Sequence, residues 1–383
     1  MRFIINSQYL SHQLQLLSGV LTTNNVVPII NCFLFHMEGN ELTITATDTQ
    51  TTLVAKVELE AETSRIEGID TVAVPSKLLL DILKSLDDVP MTFSVDAKTL
   101  AIDIVSGEGK YSLAGQNPET FPTMPVIEET TTTHIPASVL VNAINKTSFA
   151  ASTDDSRPQM TGIYVEMTPD CTTFVATDAH KLVRYQRTDV VADESTNFIL
   201  PRKPITLVKN IMASRKEETD VTIQSNNVNV TFTFDNFYVV CRLLEGRYPN
   251  VDAVIPKESP CKLTVDRLSL LNVLRRVSLF ASKSTYQVRL SITDRELTIS
   301  AEDIEFSNNA NEKMACDYEG EPMEIGFNAK FLMEMVSNLD TENIVINMSH
   351  PSRPGVIFPI NDDEEASHED ILMLVMPVML ANA

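Results

Sequence analysis

The chain has 383 residues, of which 43% are apolar and 21% charged, and its formal net charge is −22 at pH 7. This length predicts two or three domains that each bury a core of their own, while the short apolar runs exclude a membrane-spanning helix and a signal peptide. The five cysteines are scattered and lack a CxxC pair, which argues against a disulfide framework or a zinc site and predicts a protein of the reducing cytoplasm.

The predicted elements recur along the chain three times in the same order. A helical stretch comes first, then a strand that ends in an acidic residue, then a second helix about 27 residues further on. The three strands end at Asp48, Asp178 and Asp303, which are 130 and 125 residues apart. A repeat of this length is too long for a solenoid unit and matches a domain, so we predict a tandem of three similar domains.

Each repeat is predicted to place two helices on antiparallel strands. The helices are indicated by apolar residues that recur with the helical period, and the segments between them alternate apolar and polar residues, with hairpin turns at 107–109 and 226–227. These patterns predict an α+β fold with domains at residues 1–127, 128–256 and 257–383. The six helical stretches are residues 7–17, 75–86, 136–150, 201–216, 263–280 and 327–339.

The positive charge of the chain is concentrated in the predicted helices. The six stretches hold twelve Lys and Arg against three acids, a net of +9, and the remainder of the chain is −31. Because salt screens charges over about 8 Å, a polyanion along the helices would feel them rather than a distant acidic surface. The distribution favours contact with nucleic acid, with solvated helix faces as the alternative. The twelve cations are Lys77, Lys84, Lys146, Arg202, Lys203, Lys209, Arg215, Lys216, Arg267, Arg275, Arg276 and Lys330.

No catalytic or metal-binding motif accompanies this organisation. The six histidines lack a metal-ligand spacing, and the eleven glycines form neither a GxGxxG nor a GxxxxGK[ST] loop. Asp48, Asp178 and Asp303 occupy equivalent places in three separate domains, so they cannot converge on one metal ion, and hydrogen bonding within a turn is their expected role. We therefore expect no enzyme, no metal and no cofactor.

Five motifs in order give the chain a resemblance to a known family. It resembles the bacterial sliding clamp, the beta subunit of DNA polymerase III, from Met1 to Leu380. The resemblance implies three clamp domains per chain, a head-to-tail ring of two chains around duplex DNA, and a processivity factor without catalysis of its own. The motifs are ATDAHKLVRY at 176–185, ILPRKPITLV at 199–208, LLEGRYPNVDAVIPK at 243–257, MEIGFNAKFL at 323–332 and VMPVML at 375–380.

The resemblance also implies partners and, together with the helix charges, site residues. The partners are the clamp loader, replicative and repair polymerases, and other proteins that carry a clamp-binding peptide with Gln, Leu and Phe anchors. The expected dimer interface pairs Tyr111 and Leu113 of one chain with Leu279 and Phe280 of the other; ordinary core packing is the open alternative. The expected DNA contacts are Asn24, Lys77, Lys146, Arg157, Gln159, Arg202, Lys203, Lys209, Arg275 and Arg276. The expected peptide cleft comprises Met160, Thr177, His180, Lys181, Leu182, Pro249, Val254, Met376, Pro377, Val378, Met379 and Leu380.

Several positions depart from the family pattern. Asn24 replaces an arginine of the first-domain loop, and Pro158 and Gln159 stand where some clamps have tyrosines. Met379 replaces a basic residue, and Ala381–Ala383 extends past the usual end, so we expect a cleft with a more apolar rim.

Two other classes of protein compete with the clamp. One is an acidic repeat scaffold that never touches DNA, against which the +9 of the predicted helices argues. The other is a nuclease or polymerase active site, against which the lack of clustered carboxylates argues.

Overall fold

The computed structural model describes residues 1–22, 26–60, 68–128, 130–214, 218–360 and 368–380. The chain forms two compact units, one of Met1–Val141 with Lys203–Leu243 and the other of Asn142–Arg202 with Leu244–Ala383. The second repeat is therefore divided between the units.

The six predicted helices are present, each within a few residues of its expected start. Side chains of Asn6, Asp266 and Asn328 cap three of them by accepting hydrogen bonds from backbone N–H groups of the first turn, at 2.7–3.0 Å. No helix in the described ranges has the length and apolar character of a membrane span. The helices are α1 (Ser7–Ser18), α2 (Ser76–Ser85), α3 (Ala137–Thr147), α4 (Arg202–Ala213), α5 (Arg267–Val277) and α6 (Ala329–Ser337).

The first unit contains an eight-stranded and a four-stranded antiparallel sheet. The larger sheet joins the first repeat to part of the second, because Thr51–Ala55 of one strand pairs with Phe237–Cys241 of another. Its strands in spatial order are β5 (Thr71–Pro75), β2 (Cys32–Glu38), β3 (Glu41–Thr47), β4 (Thr51–Glu58), β16 (Phe237–Arg242), β15 (Asn229–Phe234), β14 (Asp220–Ser225) and β9 (Thr131–Pro136). The smaller sheet is β1 (Arg2–Asn6), β6 (Pro90–Val95), β7 (Ala101–Ser106) and β8 (Gly109–Ala114).

The second unit repeats this plan with nine and four strands. Pairing of Lys181–Arg187 with Glu369–Val375 joins the second repeat to the third in one sheet. That sheet runs β13 (Thr196–Pro201), β10 (Gly162–Met167), β11 (Thr172–Thr177), β12 (Lys181–Arg187), β25 (Glu369–Val375), β24 (Gly355–Pro359), β23 (Asn343–Met348), β17 (Cys261–Asp266) and β21 (Asp317–Glu319). The smaller sheet is β20 (Asn308–Ala315), β19 (Glu296–Asp303), β18 (Gln287–Ile292) and β22 (Met323–Asn328).

The turn role expected of the three repeated aspartates is confirmed for two of them. Asp48 Oδ1 accepts hydrogen bonds from the backbone N–H groups of residues 50 and 51, and Asp178 Oδ1 does the same for residues 180 and 181. For Asp303 the expectation is wrong, because this residue remains in the ladder opposite Asn308 and makes no such bond among the described residues. The third copy has a longer turn, so an aspartate acceptor is not needed at its first position.

Candidate binding sites

The turn between β11 and β12 presents His180 to solvent and buries Lys181. Thr177 Oγ1 donates to the carbonyl of Lys181 at 2.7 Å, and Asp178 Oδ1 accepts the N–H of His180 and of Lys181, both at 2.9 Å. Ala179 completes the turn with a φ of +76°. The local sequence thus fixes two adjacent side chains in opposite directions.

The last described residues of the chain pack directly against this turn. Met376 donates its N–H to the carbonyl of His180, and Val378 donates to the carbonyl of Gly326, both at 2.8 Å. A Cβ on Gly326 would lie 2.5 Å from the Val378 carbonyl oxygen, so only glycine allows this approach. Leu380 is buried against Gly326, whereas Met379 is 74% exposed.

Lys181 ties the turn to the first half of α6. Its ammonium donates to the Phe149 carbonyl at 3.0 Å, forms an ion pair with Glu334, and lies 5.4 Å from the Phe331 ring centroid. The His180 ring stacks on the same Phe331 ring, with centroids 5.9 Å apart. A buried lysine is stable here because its charge is paired and hydrogen-bonded.

Sequence reasoning missed Phe331 and Glu334 as members of this site. The apolar spacing of the sequence predicts a buried stripe of Leu332, Met335, Val336 and Leu339, and all four are buried. Phe331 lies next to that stripe and is only half-buried. An aromatic residue outside the buried stripe was the signal that could have found it.

The remaining predicted cleft residues divide into a floor and a rim. Met160, Thr177 and Leu182 are buried, while Pro249 and Val254 are exposed, and all lie in the second unit. A recess of about 410 Å³ opens beside Val254. The predicted cleft residues thus combine apolar side chains with few polar groups, a composition that suits a short extended peptide.

The described helices carry ten Lys and Arg against two acids, a net of +8. Several of the predicted DNA contacts are engaged within the chain. Lys146 is 8% exposed and forms an ion pair with Asp340, Lys203 lies 2.6 Å from Asp48, and Arg276 pairs with Glu312.

Three predicted contacts have no carboxylate within ion-pair distance in the described residues, namely Lys77, Lys209 and Arg275. Lys77 and Arg275 are exposed, and Lys209 is half-buried. Outside the helices, Arg157 lies 3.7 Å from Asp154, and Gln159 occupies a short helical turn, Pro158–Met160. Arg202 has a partner, and Asn24 lies outside the described residues.

The predicted interface residues differ in exposure. Leu279 and Phe280 are 70% and 41% exposed, whereas Leu113 is 5% exposed and belongs to the core of its own domain, with Tyr111 half-buried beside it. Ile304 and Phe306, which sequence reasoning missed, are 81% and 70% exposed. Two large apolar residues within the polar turn EDIEFSNN were the available signal.

Nothing in the described ranges resembles a metal centre, since no three His, Cys, Asp or Glu side chains lie close enough to share an ion.

Comparison with known proteins accounts for nearly the whole chain. Family models of the DNA polymerase III beta subunit match in succession: the N-terminal domain at residues 1–125, the central domain at 134–250 and the C-terminal domain at 252–377. The beta sliding clamp of Synechococcus elongatus is 28% identical over 99% of this chain and 100% of its own length, and that of Staphylococcus aureus is 27% identical over 99% of each.

Solved structures agree with the sequence matches. The sliding clamp of Pseudomonas aeruginosa bound to griselimycin has 26% identity and a TM-score of 0.91, covering 99% of this chain and 100% of that one. The DNA polymerase III beta subunit of Thermotoga maritima has 25% identity and a TM-score of 0.88 over the same shares.

The fold and these matches define a protein of three clamp domains, each combining helices with antiparallel sheets, as the sequence predicted. The chain belongs to the DNA polymerase III beta subunit family, the beta sliding clamps. The family is a non-catalytic processivity subunit, which confirms that the chain is not an enzyme. The domain boundaries after residues 127 and 256 stay predictions.

Proposed function

We propose that two copies of this chain close into a ring around duplex DNA in the cytoplasm, slide along it, and tether the replicative polymerase and other partners. The observation that carries the proposal is the +8 charge of the six helices in a sliding-clamp chain whose net charge is −22. Cations that contact phosphates without reading bases permit sliding, and an acidic exterior disfavours DNA elsewhere. Processivity then comes from topology, so individual contacts can be weak.

Charge reversal at three predicted DNA contacts on the helices that lack an ion-pair partner in the described residues tests the DNA-facing role. The triple variant Lys77→Glu, Lys209→Glu, Arg275→Glu breaks no internal ion pair, so its fold should be unaffected. We expect its affinity for a short labelled duplex, followed by anisotropy across a salt series, to fall on the order of tenfold or more, with a shallower salt dependence.

The matched control reverses three exposed cations outside the helices, Arg2, Lys98 and Lys262, which also lack an ion-pair partner in the described residues, and so changes the net charge equally. Equal losses in the two variants would show a general charge effect. An unchanged affinity in the helix variant would leave the acidic protein scaffold as the better description.

Two sheet edges support the proposed ring. β8 and β20 each end a four-stranded sheet, so each has one unpaired side among the described strands. Beside β20 lies a groove of about 620 Å³ lined by Glu302, Asp303 and Glu305. Asp303 is 6% exposed and its carboxylate has no partner in the described residues, so a cation from a second copy would complete it. The exposed Leu279 and Phe280 supply apolar contact, and a head-to-tail interface of this kind closes at two subunits when each spans half a circle.

The variant Leu279→Asp tests the ring, because it places a charge at the centre of the proposed apolar contact. Light scattering over a dilution series should give twice the 42.6 kDa chain mass for the parent protein and a monomer for the variant. The control Val126→Asp changes a residue that is 83% exposed and should leave the dimer intact. A parent chain that stays monomeric at every concentration would contradict the ring.

The groove formed by the His180 turn, α6 and the C-terminal segment is the proposed binding site for the peptide motif of polymerases, the clamp loader and repair proteins. Its support is geometric, since Phe331 stacks on His180, Met376 donates to the His180 carbonyl, and Val378 and Leu380 pack on Gly326. A chain that ends after Val378 lacks Leu380 and should lose binding of a labelled pentapeptide carrying Gln, Leu and Phe, while its dimer mass stays unchanged. Retained peptide binding would place the cleft elsewhere.

A further inference from the structure

A second charged feature borders the cleft, on the loop between α5 and β18. The ammonium of Lys330 lies 3.4 Å from the ring centroid of Tyr286, and that of Lys283 lies 5.9 Å from the same centroid. The two cations are therefore no more than about 9 Å apart. We call Lys283, Tyr286 and Lys330 the lysine–tyrosine cluster.

Neither lysine of the cluster is neutralised within the chain. Across the described residues no carboxylate lies within ion-pair distance of either ammonium group, and Lys283 donates only to the Leu279 carbonyl, at 3.4 Å. Both lysines are exposed. Two like charges beside one ring without a counter-ion repel each other, and an anion placed between them removes that repulsion.

The backbone holds the cluster in place at a local cost. Tyr286 has a φ of +50°, a left-handed conformation that is unfavourable for a bulky residue. Its N–H donates to the Ser282 carbonyl and its carbonyl accepts from the N–H of Ala329, both at 2.8 Å. The side chain of Asn328 also donates to the Thr285 carbonyl, at 3.0 Å. The loop is thus fixed to the start of α6 before any ligand arrives, as a preorganised binding site requires.

The start of α6 is also a wall of the peptide cleft. Phe331, which follows Lys330 directly, stacks on His180. Phe327 forms an isolated antiparallel β-bridge with Pro377 of the C-terminal segment. An anionic group on a peptide bound in the cleft would reach the cluster from this side. The sequence predicted a more apolar rim because Met379 replaces a basic residue, but Lys283 and Lys330 restore positive charge to another part of the border.

We propose that the lysine–tyrosine cluster binds an acidic side chain next to the apolar anchors of a partner peptide, and so makes this clamp select partners with acidic flanks. The proposal rests on the proposed function of the cleft. Because the chain has a net charge of −22, an acidic peptide is repelled over most of its surface. A local pair of unneutralised cations therefore attracts such a peptide and also selects it over a neutral one. DNA phosphate is the competing ligand; the contiguity with Phe331 and His180 favours the peptide.

Three labelled peptides and two double variants test the proposal. The neutral probe carries Gln, Leu and Phe anchors with serine flanks, and the two acidic probes replace the serines at one end or the other by aspartates. The variant Lys283→Met with Lys330→Met removes the cluster's charge, and the control Lys98→Met with Lys262→Met removes the same charge at two exposed lysines that are not among the cleft residues.

We expect one acidic probe to bind the parent dimer about five- to tenfold more tightly than the neutral probe, which corresponds to one charge-assisted contact. This preference should weaken with salt, disappear in the cluster variant and persist in the control, while the neutral probe binds all three proteins equally. No acidic preference in the parent, with the neutral probe bound, overturns the cluster proposal alone. If neither class of probe binds, the cleft assignment fails with it, and a cluster variant that loses only duplex affinity assigns the lysines to DNA.

Discussion

The turn after β3 and the turn after β11 share one backbone design, and only the second forms part of a candidate binding site. In the first, Thr47 Oγ1 donates to the carbonyl of Thr51 at 3.0 Å, and Thr49 has a φ of +76°. In the second, Thr177 donates to Lys181 at 2.7 Å, and Ala179 has the same φ. The two copies therefore differ in their side chains and not in their fold.

The segments that hydrogen-bond to these two turns also correspond to each other over part of their length. The N–H of Arg242 donates to the carbonyl of Gln50 at 2.9 Å, as that of Met376 donates to the carbonyl of His180 at 2.8 Å. Beyond Arg242 the chain passes into the second unit, whereas Met376–Leu380 packs against the His180 turn and Gly326. This segment thus packs beside the turn of the second copy, where His180 and Lys181 stand in place of Gln50 and Thr51 of the first copy. The proposed peptide site thus uses one copy of a repeated frame.

The two copies should differ most in the stability lost when the buried cation of the second copy, Lys181, is removed. Lys181→Ala removes an ammonium with a side chain 7% exposed, its bond to Phe149 and its pairing with Glu334, at a cost of about 2–3 kcal/mol. Glu334 is 47% exposed and regains water, which keeps the loss from being larger. Thr51→Ala, the equivalent change, should cost about 0.5–1 kcal/mol. Unfolding midpoints in urea measure both, and similar midpoints for the two variants would refute the special role of Lys181.

A smaller effect should follow from removing the turn acceptor in each copy. Asp48→Ala and Asp178→Ala each leave two backbone N–H groups without their acceptor, so each should lower stability by about 1–2 kcal/mol. Only Asp178→Ala should also weaken binding of the pentapeptide, because His180 is positioned by that turn. A loss of peptide binding in both variants would mean that the effect spreads through the fold rather than acting at the cleft.

Much of the architecture could be predicted because it is periodic. The strand that ends at Asp48 or Asp178, and the helix that follows it, are encoded by local apolar spacing and turn chemistry. The third copy departs from this pattern at Asp303, because the residues that end a strand do not reveal that the turn after it is longer.

The candidate sites were harder to predict because they depend on contacts between distant parts of the chain. The pairing of Lys181 with Glu334 spans 153 residues, and that of Lys146 with Asp340 spans 194. Nothing in either local sequence distinguishes a lysine that will be buried and paired from one that will be exposed. The positive φ of Tyr286 and the packing of Gly326 against Val378 likewise arise only when the repeats are assembled.

The variant with the smallest expected effect replaces one residue of the second copy by its counterpart in the first copy. His180→Gln introduces the residue that the first copy has at this position and removes the ring that stacks on Phe331, a contact worth about 0.5–1.5 kcal/mol. Because the side chain is exposed, the unfolding midpoint should change little, while the affinity for the pentapeptide should fall about three- to tenfold. The reverse change, Gln50→His, should leave peptide binding as in the parent, because the first copy has no terminal segment to complete a groove. If His180→Gln binds the peptide as tightly as the parent, the His180 ring serves only the packing of α6, and the cleft depends on Lys181 and the terminal residues.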